Sequence, residues 1–361
     1  MQQKKIAIIC SRLDSPGGIE RAICNTANLF VEKGNEVTLV IVDEHKGSFY
    51  PLHQKIKKEF LHLHFGITEK GNTLTRKLVF YRDVRSLNKV LQEIDADFIV
   101  TTDYIFSIAV QINRKGLKAK VFSWEHHHIK WLQKSAFWNF LQHMLYPKLD
   151  GVICLNTKEQ ALFKAKGCTT FVIPNFVSKG DMAALDQRNL LTIGWLIRRK
   201  GIDLIPQIAA KVFAVHKDWR WTLIGDGEEY KTLKVSIKSL QLDEQFIIKK
   251  PQTFDLSEEY KNASLYVMPS RFECFPMVLL EAMSFGVPCI SFDCPAGPAE
   301  IITNGEDGLL IEPDNVEAMA ADIIALIEDE EKRKRFGKQA YKNIERFAPE
   351  HVYRLWQKLL E

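Results

Sequence analysis

Cysteine is sparse and scattered: seven residues in 361, with no C-x2-C pair. That pattern argues against a zinc site and against a disulfide framework, and it fits reduced thiols in a cytoplasmic protein. No apolar run is long enough to cross a membrane; the longest are the size of single strands. The N-terminus, MQQKKIAIICSR, has a basic start but too short an apolar run for a signal peptide, and it flows into a strand. Low-complexity tracts and internal repeats are missing. The opening strand–turn–helix lacks G-x-G-x-x-G, which disfavours a dinucleotide cofactor.

What is present is a globular composition, 46% hydrophobic and 26% charged, in a chain long enough for two domains. The net charge of +4 is unevenly spread: residues 1–180 carry 26 Lys+Arg against 16 Asp+Glu, and residues 181–361 carry 23 against 29. A basic half calls for an anionic partner: nucleic acid, a membrane surface or a phosphorylated acceptor.

Ser270 to Pro295, SRFECFPMVLLEAMSFGVPCISFDCP, is the most informative stretch. A strand ends near Pro269, a short loop carries Glu273, and a helix over about Pro276–Phe285 carries Glu281 before Gly286 and Pro288 stop it. Pro276 suits the first turn, and the amides of Met277, Val278 and Leu279 are expected to face an anion with the help of the helix dipole. Leu279, Leu280, Ala282 and Met283 flank Glu281, so this carboxylate is expected to be buried and partnered rather than solvated.

Elsewhere the chain alternates strands and helices. Lys5–Cys10, Glu36–Val42, Phe60–Leu63, Phe98–Thr101, Lys120–Ser123, Val152–Leu155 and Thr170–Ile173 read as strands of a first sheet. Gly17-Gly18 would let an anion approach the helix over about Ile19–Lys33, or would serve a turn needing positive φ. Residues 74–94 form a basic amphipathic helix suited to anionic lipid or to ordinary packing on the sheet. Residues 130–146, with Trp131, Phe137, Trp138, Phe140 and Tyr146 among basic residues, suit stacking on nucleic acid, an interfacial helix or core. His126, His127 and His128 follow a strand; neighbouring side chains diverge, which disfavours metal, whereas one histidine at a strand's carboxyl end is well placed for a ligand. After the strand Leu190–Gly194, Arg198, Arg199 and Lys200 precede a helix from Asp203 and suit a diphosphate. Pro349 is expected to break the chain ahead of a last helix, His351–Leu360.

FECFPMVLLEAMSFGVPCI resembles the E-x7-E signature of family 4 glycosyltransferases, retaining enzymes of the GT-B fold. IGWLIRRKGIDLI resembles that family's G-R-L-x-x-x-K-G motif with Lys200 at the lysine, while Trp195 stands where the family has arginine. Arg198 or Arg199 would have to replace that cation, and Arg199 is preferred. GGIER resembles the family's N-terminal glycine loop, WEHHH its histidine motif with His126 at the position, and IPNFV its interdomain turn.

The resemblance implies two Rossmann-like, doubly wound α/β domains facing across a cleft, at 1–180 and 181–347, with residues 348–361 crossing back onto the first. It implies transfer of a sugar from a nucleoside diphosphate sugar, UDP-linked, to a glycan or lipid-linked acceptor, with retention and with no metal or other cofactor. Lys200 and Arg199 would take the diphosphate, and Glu273 and His126 the sugar. Glu281 would take the ribose, and the backbone at Phe275, Pro276, Met277 and Val278 the donor. Pro251 would edge the base, Gly17 and Gly18 would reach the diphosphate or acceptor, and Glu20 and Arg21 would lie on the acceptor side. Family habit and the basic half point to bacterial surface polysaccharide or lipopolysaccharide synthesis, at the inner face of an anionic membrane and without nucleic acid. A GT-B epimerase or phosphorylase, a nucleic-acid-binding protein and an inactive sugar-binding protein are the alternatives.

Overall fold

The computed structural model describes residues 3–43, 47–65, 73–129 and 132–361, and of residues 73 and 74 the backbone alone. The chain divides into two compact units, Met1–Pro174 with Tyr353–Glu361, and Asn175–Val352. Each is built on one parallel sheet, whose inner strands are covered on both faces and therefore read as nearly unbroken apolar runs.

In the first unit the elements are β1 (Lys5–Cys10), α1 (Gly18–Glu32), β2 (Glu36–Ile41), β3 (Lys57–Phe60), α2 (Thr73–Ile94), β4 (Phe98–Thr101), α3 (Tyr104–Ile112), β5 (Lys120–Glu125), α4 (Ala136–Leu145), β6 (Gly151–Cys154), α5 (Thr157–Lys164) and β7 (Thr170–Val172). The sheet order is β3-β2-β1-β4-β5-β6-β7, parallel throughout. Ala7, Ile9, Val40, Ile99, Val121 and Val152 supply the sheet side of a core closed by Leu87 and Leu91 of α2 and Phe106 of α3.

The second unit holds β8 (Asn189–Ile193), α6 (Ile205–Val215), β9 (Arg220–Ile224), α7 (Tyr230–Ser239), β10 (Phe246–Lys249), α8 (Ser257–Lys261), β11 (Leu265–Met268), α9 (Met277–Ser284), β12 (Cys289–Phe292), α10 (Pro298–Ile301), β13 (Gly308–Ile311), α11 (Val316–Glu328) and α12 (Glu330–Asn343). Its sheet order, β10-β9-β8-β11-β12-β13, repeats the reversal of the first. The last helix, α13 (Pro349–Leu360), begins in the second unit and ends in the first. There the Trp356 ring meets Phe30 edge-on at 5.2 Å and Trp124 at 5.3 Å.

Several boundaries differ from the sequence expectation for identifiable reasons. β3 lies at 57–60, three residues earlier than the apolar Phe60–Leu63 run suggests, because an edge strand needs little burial and its side chains are largely exposed. Lys130 and Trp131 lie outside the described residues, and α4 starts only at Ala136, after Ser135. Pro349 opens α13 instead of breaking the chain before it, a place where its missing N–H costs nothing. Pro276 is the residue before α9 and Met277 the first within it. The Leu279 amide donates to the Pro276 carbonyl at 3.2 Å, so it is not available to an anion; of the three amides expected to face one, it is withdrawn.

Candidate functional site

At the β8/β11 boundary of the second unit, successive connections leave the sheet in opposite directions. In open α/β sheets the loops at such a point part and leave a ligand crevice. The loop after β8 forms one tight turn, Arg198–Lys200, closed by Gly201 at φ +67°. A Cβ at Gly201 would lie 1.8 Å from the Pro269 carbonyl oxygen, so only glycine lets this turn sit against the end of β11.

Arg271, in the loop after β11, fastens the turn. Its backbone amide donates to the Arg199 carbonyl at 3.0 Å, and its Nη1 to the Arg198 carbonyl at 2.8 Å. The guanidinium also forms a two-pronged pair with Asp203, at 2.6 and 3.0 Å, and donates from Nε to Asp314 at 2.7 Å. Its charge is therefore spent within the protein. Held in this way, Lys200 places Nζ 2.6 Å from Glu273 Oε1. The Glu273 side chain is 9% exposed and that of Lys200 21%, so the pair is partly shielded but open to a ligand.

Glu281 is buried in α9, and the Tyr260 hydroxyl donates to its Oε2 at 2.7 Å. Tyr260 is stacked on Phe285, with centroids 5.5 Å apart. Tyr266 of β11 is fully buried nearby, and its hydroxyl donates to the Ile193 carbonyl at 3.0 Å. Burial drives the Tyr266 phenol well above its ordinary pKa, and the charges of Glu281 and Glu273 both add to that rise. Cys294, at the end of β12, is likewise raised to about 12, first by burial and then by Glu273, while Lys200 lowers it. Lys200 and Glu273 thus meet at one end of the sheet, and Glu281 lies in the helix that the Glu273 loop leads into.

The side chains of Phe275, Pro276 and Met277 are buried, and Phe275 lies edge-on to Phe347 at 5.5 Å. Only backbone is on offer along this part of the loop, with the amides of Met277 and Val278 at the head of α9. Gly297, at φ +92°, brings the loop after β12 against Cys274 and Pro276, where a Cβ would lie 2.8 Å from both. Arg198 and Arg199 are both exposed on their turn, as is Trp195 ahead of it. Pro251 follows Lys250, whose Nζ pairs with Asp226 at 2.9 Å and so joins the loop after β10 to the Gly225–Glu228 turn.

The remaining expected residues lie in the first unit. Gly17 precedes α1 with φ −84°, so no positive φ explains it. The Glu20 carboxylate folds over Gly17, where a Cβ would meet Oε2 at 2.1 Å, and accepts from Ser15 at 2.7 Å. Arg21 lies over the Tyr50 ring at 5.4 Å. His126 follows β5, buried against Trp124 with centroids 4.3 Å apart, and its Nε2 has no hydrogen-bond partner. Burial, aided by His127, pushes its pKa down to about 3, so the ring is neutral. His128 instead pairs with the buried Glu159 at 3.0 Å, so these two histidines have different surroundings. No group of three or more metal-ligating side chains occurs among the described residues.

Sequence reasoning missed three features: Arg271, Tyr260, and a buried polar network joining β4, α3 and β5. In that network Thr101, Ser107 and Ser123 are joined by hydroxyl contacts of 2.6 and 2.7 Å. Ser123 and Tyr146 both donate to Glu125 Oε1, at 2.6 and 2.5 Å. The one available signal was the pattern VFSWE, which puts Ser123 and Glu125 on the same face of an otherwise apolar strand.

Two parallel sheets with this strand order, in a two-unit chain with a returning C-terminal helix, define a GT-B protein. Residues 16–179 match the pattern described as Glycosyltransferase Family 4, and residues 179–343 match Glycosyl transferases group 1. The chain belongs to these glycosyltransferases. It is 26% identical to an uncharacterized glycosyltransferase of Haemophilus influenzae, over 99% of this chain and 100% of that protein. It is 28% identical, over 99% and 98%, to a Campylobacter jejuni α-1,4-N-acetyl-D-galactosaminyltransferase whose name specifies a glycan on PP-undecaprenol. In fold it is similar to S. aureus TarM, with a TM-score of 0.84 and 16% identity over 99% of this chain and 100% of that one.

Proposed function

We propose that this glycosyltransferase moves a sugar from a nucleoside diphosphate donor, UDP-linked, to a hydroxyl of a glycan or lipid-linked acceptor, with retention at the anomeric carbon. The observation that carries this reading is the Lys200–Glu273 pair at the β8/β11 boundary, a cation and a carboxylate held together at the end of a doubly wound sheet. Lys200, with Arg199, neutralises the charge that grows on the departing diphosphate, and the amides of Met277 and Val278 add to it. Fixed cations fill the role a divalent metal would have, so the reaction needs none. Glu273 holds sugar hydroxyls, Glu281 holds the ribose, and the family position of His126 assigns it to the sugar. The acceptor oxygen attacks on the face the diphosphate leaves; as the new C–O bond forms and the old one breaks, the acceptor proton passes to a donor phosphate oxygen.

The Campylobacter relative's name supports a lipid-linked acceptor, in surface polysaccharide or lipopolysaccharide assembly on the cytoplasmic side of the membrane. The test is a thermal-shift panel of nucleotide sugars, followed by NMR of the product's anomeric configuration. Stabilisation by a UDP-sugar and a retained α-linkage from an α-donor are expected. No stabilisation by any nucleotide sugar would overturn the reading, and donor turnover without a glycosylated product would replace it with an epimerase.

A further inference from the structure

The turn after β5 carries His126, His127 and His128, and a buried glutamate from the helix that follows the neighbouring strand β6 holds its far end. Glu159 stands in the first turn of α5, three residues after Asn156, whose side chain accepts the Glu159 amide at 2.8 Å. The Glu159 side chain is 0% exposed, and both of its carboxylate oxygens reach out of the helix. Oε1 lies 3.0 Å from His128 Nδ1, and Oε2 accepts the Ile129 amide at 3.2 Å. One carboxylate thus spans a side chain and the adjoining backbone of a turn 30 positions earlier in the chain.

The near end of the turn is fixed as well. Glu125, the last residue of β5, accepts the Ser123 and Tyr146 hydroxyls at 2.6 and 2.5 Å, and Trp124 lies against the His126 ring. His126 stands between these two anchors, and Glu159 acts on its imidazole through the backbone of the turn. A glutamate in the first turn of a helix favours that helix from solvent, through the dipole, and gains nothing there from burial. Burying a carboxylate is costly unless fixed partners meet it. The burial of Glu159 therefore specifies the turn, because any displacement of His128 and Ile129 takes these partners away from it. A side chain that must meet one hydroxyl of a ligand needs such support, since it has to be held within about 0.5 Å.

We propose that Glu159 is a positioning residue: it clamps the histidine turn and so fixes the orientation in which the His126 imidazole meets the transferred sugar. The sugar contact belongs to the function proposed above, on which this inference rests; the clamp is a property of the free chain.

The test has two readouts on the full chain, for wild type, E159A, E159Q and H126Q. The first is NMR of isotope-labelled histidine in the free chain, with the His126 ring signals assigned by their loss in H126Q. They shift in E159A and return towards wild type in E159Q, which keeps an oxygen for the Ile129 amide. The second is release of UDP from UDP-glucose, UDP-galactose and UDP-N-acetylgalactosamine with water as the acceptor. In E159A kcat falls at least about tenfold while the donor KM changes less than about threefold, and E159Q restores most of the kcat. If E159A does not fold, H128N, which removes only the side-chain arm of the clamp, carries both readouts in the same direction. Unmoved His126 signals, or an undiminished kcat, overturn the proposal and leave the sugar contact standing. H126Q as active as wild type overturns the sugar contact, and the proposal with it. If wild type releases UDP from none of the donors, the transfer reading is what fails, and the ring signals still decide whether Glu159 holds His126.

Discussion

Lys200 Nζ and Glu273 Oε1 lie 2.6 Å apart although 73 residues separate them in the chain. They meet because β8 and β11 are neighbours and the loops that follow them leave one end of the sheet together. Each balances the other in a place from which water is partly excluded. In the proposed reaction a diphosphate entering the site would compete with Glu273 for the ammonium, and the pair would couple donor binding to the orientation of the carboxylate.

Lys200→Ala should lower kcat/KM by at least about a hundredfold, the scale of losing one charge that stabilises a leaving group. It should also lower stability by about 2 kcal/mol, because Glu273 is left shielded without its cation. Lys200→Ala/Glu273→Ala should recover most of that stability and none of the activity. Steady-state kinetics and urea titration of the three variants check both statements. Unchanged kinetics in folded Lys200→Ala would remove the lysine from the mechanism.

Arg271 is a positioning residue for that turn. Arg271→Ala should cost about tenfold or more in kcat with a smaller change in KM. Asp203→Asn should cost less, and the double variant little more than Arg271→Ala alone, since both break one interaction. Arg271→Lys cannot reproduce the two-pronged pair and should remain impaired. Additive losses in the double-mutant cycle would show that Arg271 and Asp203 act separately.

Tyr260 holds the buried carboxylate of Glu281. Glu281→Ala should weaken UDP binding markedly, and Tyr260→Phe, which removes only the donated hydrogen bond, by roughly threefold to tenfold. Calorimetry with free UDP measures both. An unaltered Kd in Glu281→Ala would count against its contact with the ribose.

His126 should make the fold acid-sensitive. Its pKa falls from 6.5 to about 3 on folding. Above about pH 6.5 the ring is neutral in both states; below that, the unfolded chain takes up a proton that the folded chain refuses. Stability therefore falls as pH drops through this window, by about 1.4 kcal/mol per pH unit for one proton. Asp103, raised from 3.8 to about 6 chiefly by burial, acts with the opposite sign between those values and partly hides the effect. The difference between wild type and His126→Gln isolates it: urea titrations from pH 7 to pH 4 should show a slope about one proton shallower in the variant. Equal slopes would mean that the imidazole titrates alike in both states.

β1 and β4 were readable to the residue because each is a plain apolar run followed by turn residues. The exposed edge strand β3 gave no such pattern. α8 and α10, five and four residues long, are too short to show a period. α5 did carry a signal, Asn156 three residues before Glu159, and Asn156 indeed caps that helix. In the candidate site, Lys200, Glu273 and Glu281 were singled out because they follow strand ends or open a helix in stretches that resemble the family's motifs. Arg271 was not, although it lies two residues from Glu273, because its partners Asp203 and Asp314 are 68 and 43 positions away. Local spacing reports which loop a residue occupies, and long-range ion pairing leaves no trace in it.

Trp356 stands among the last residues of the chain, yet it packs on Phe30 and Trp124. During synthesis those two rings emerge from the ribosome more than two hundred positions before their neighbour does. The first Rossmann-like body thus waits, with an uncovered aromatic face, until translation has finished the other one.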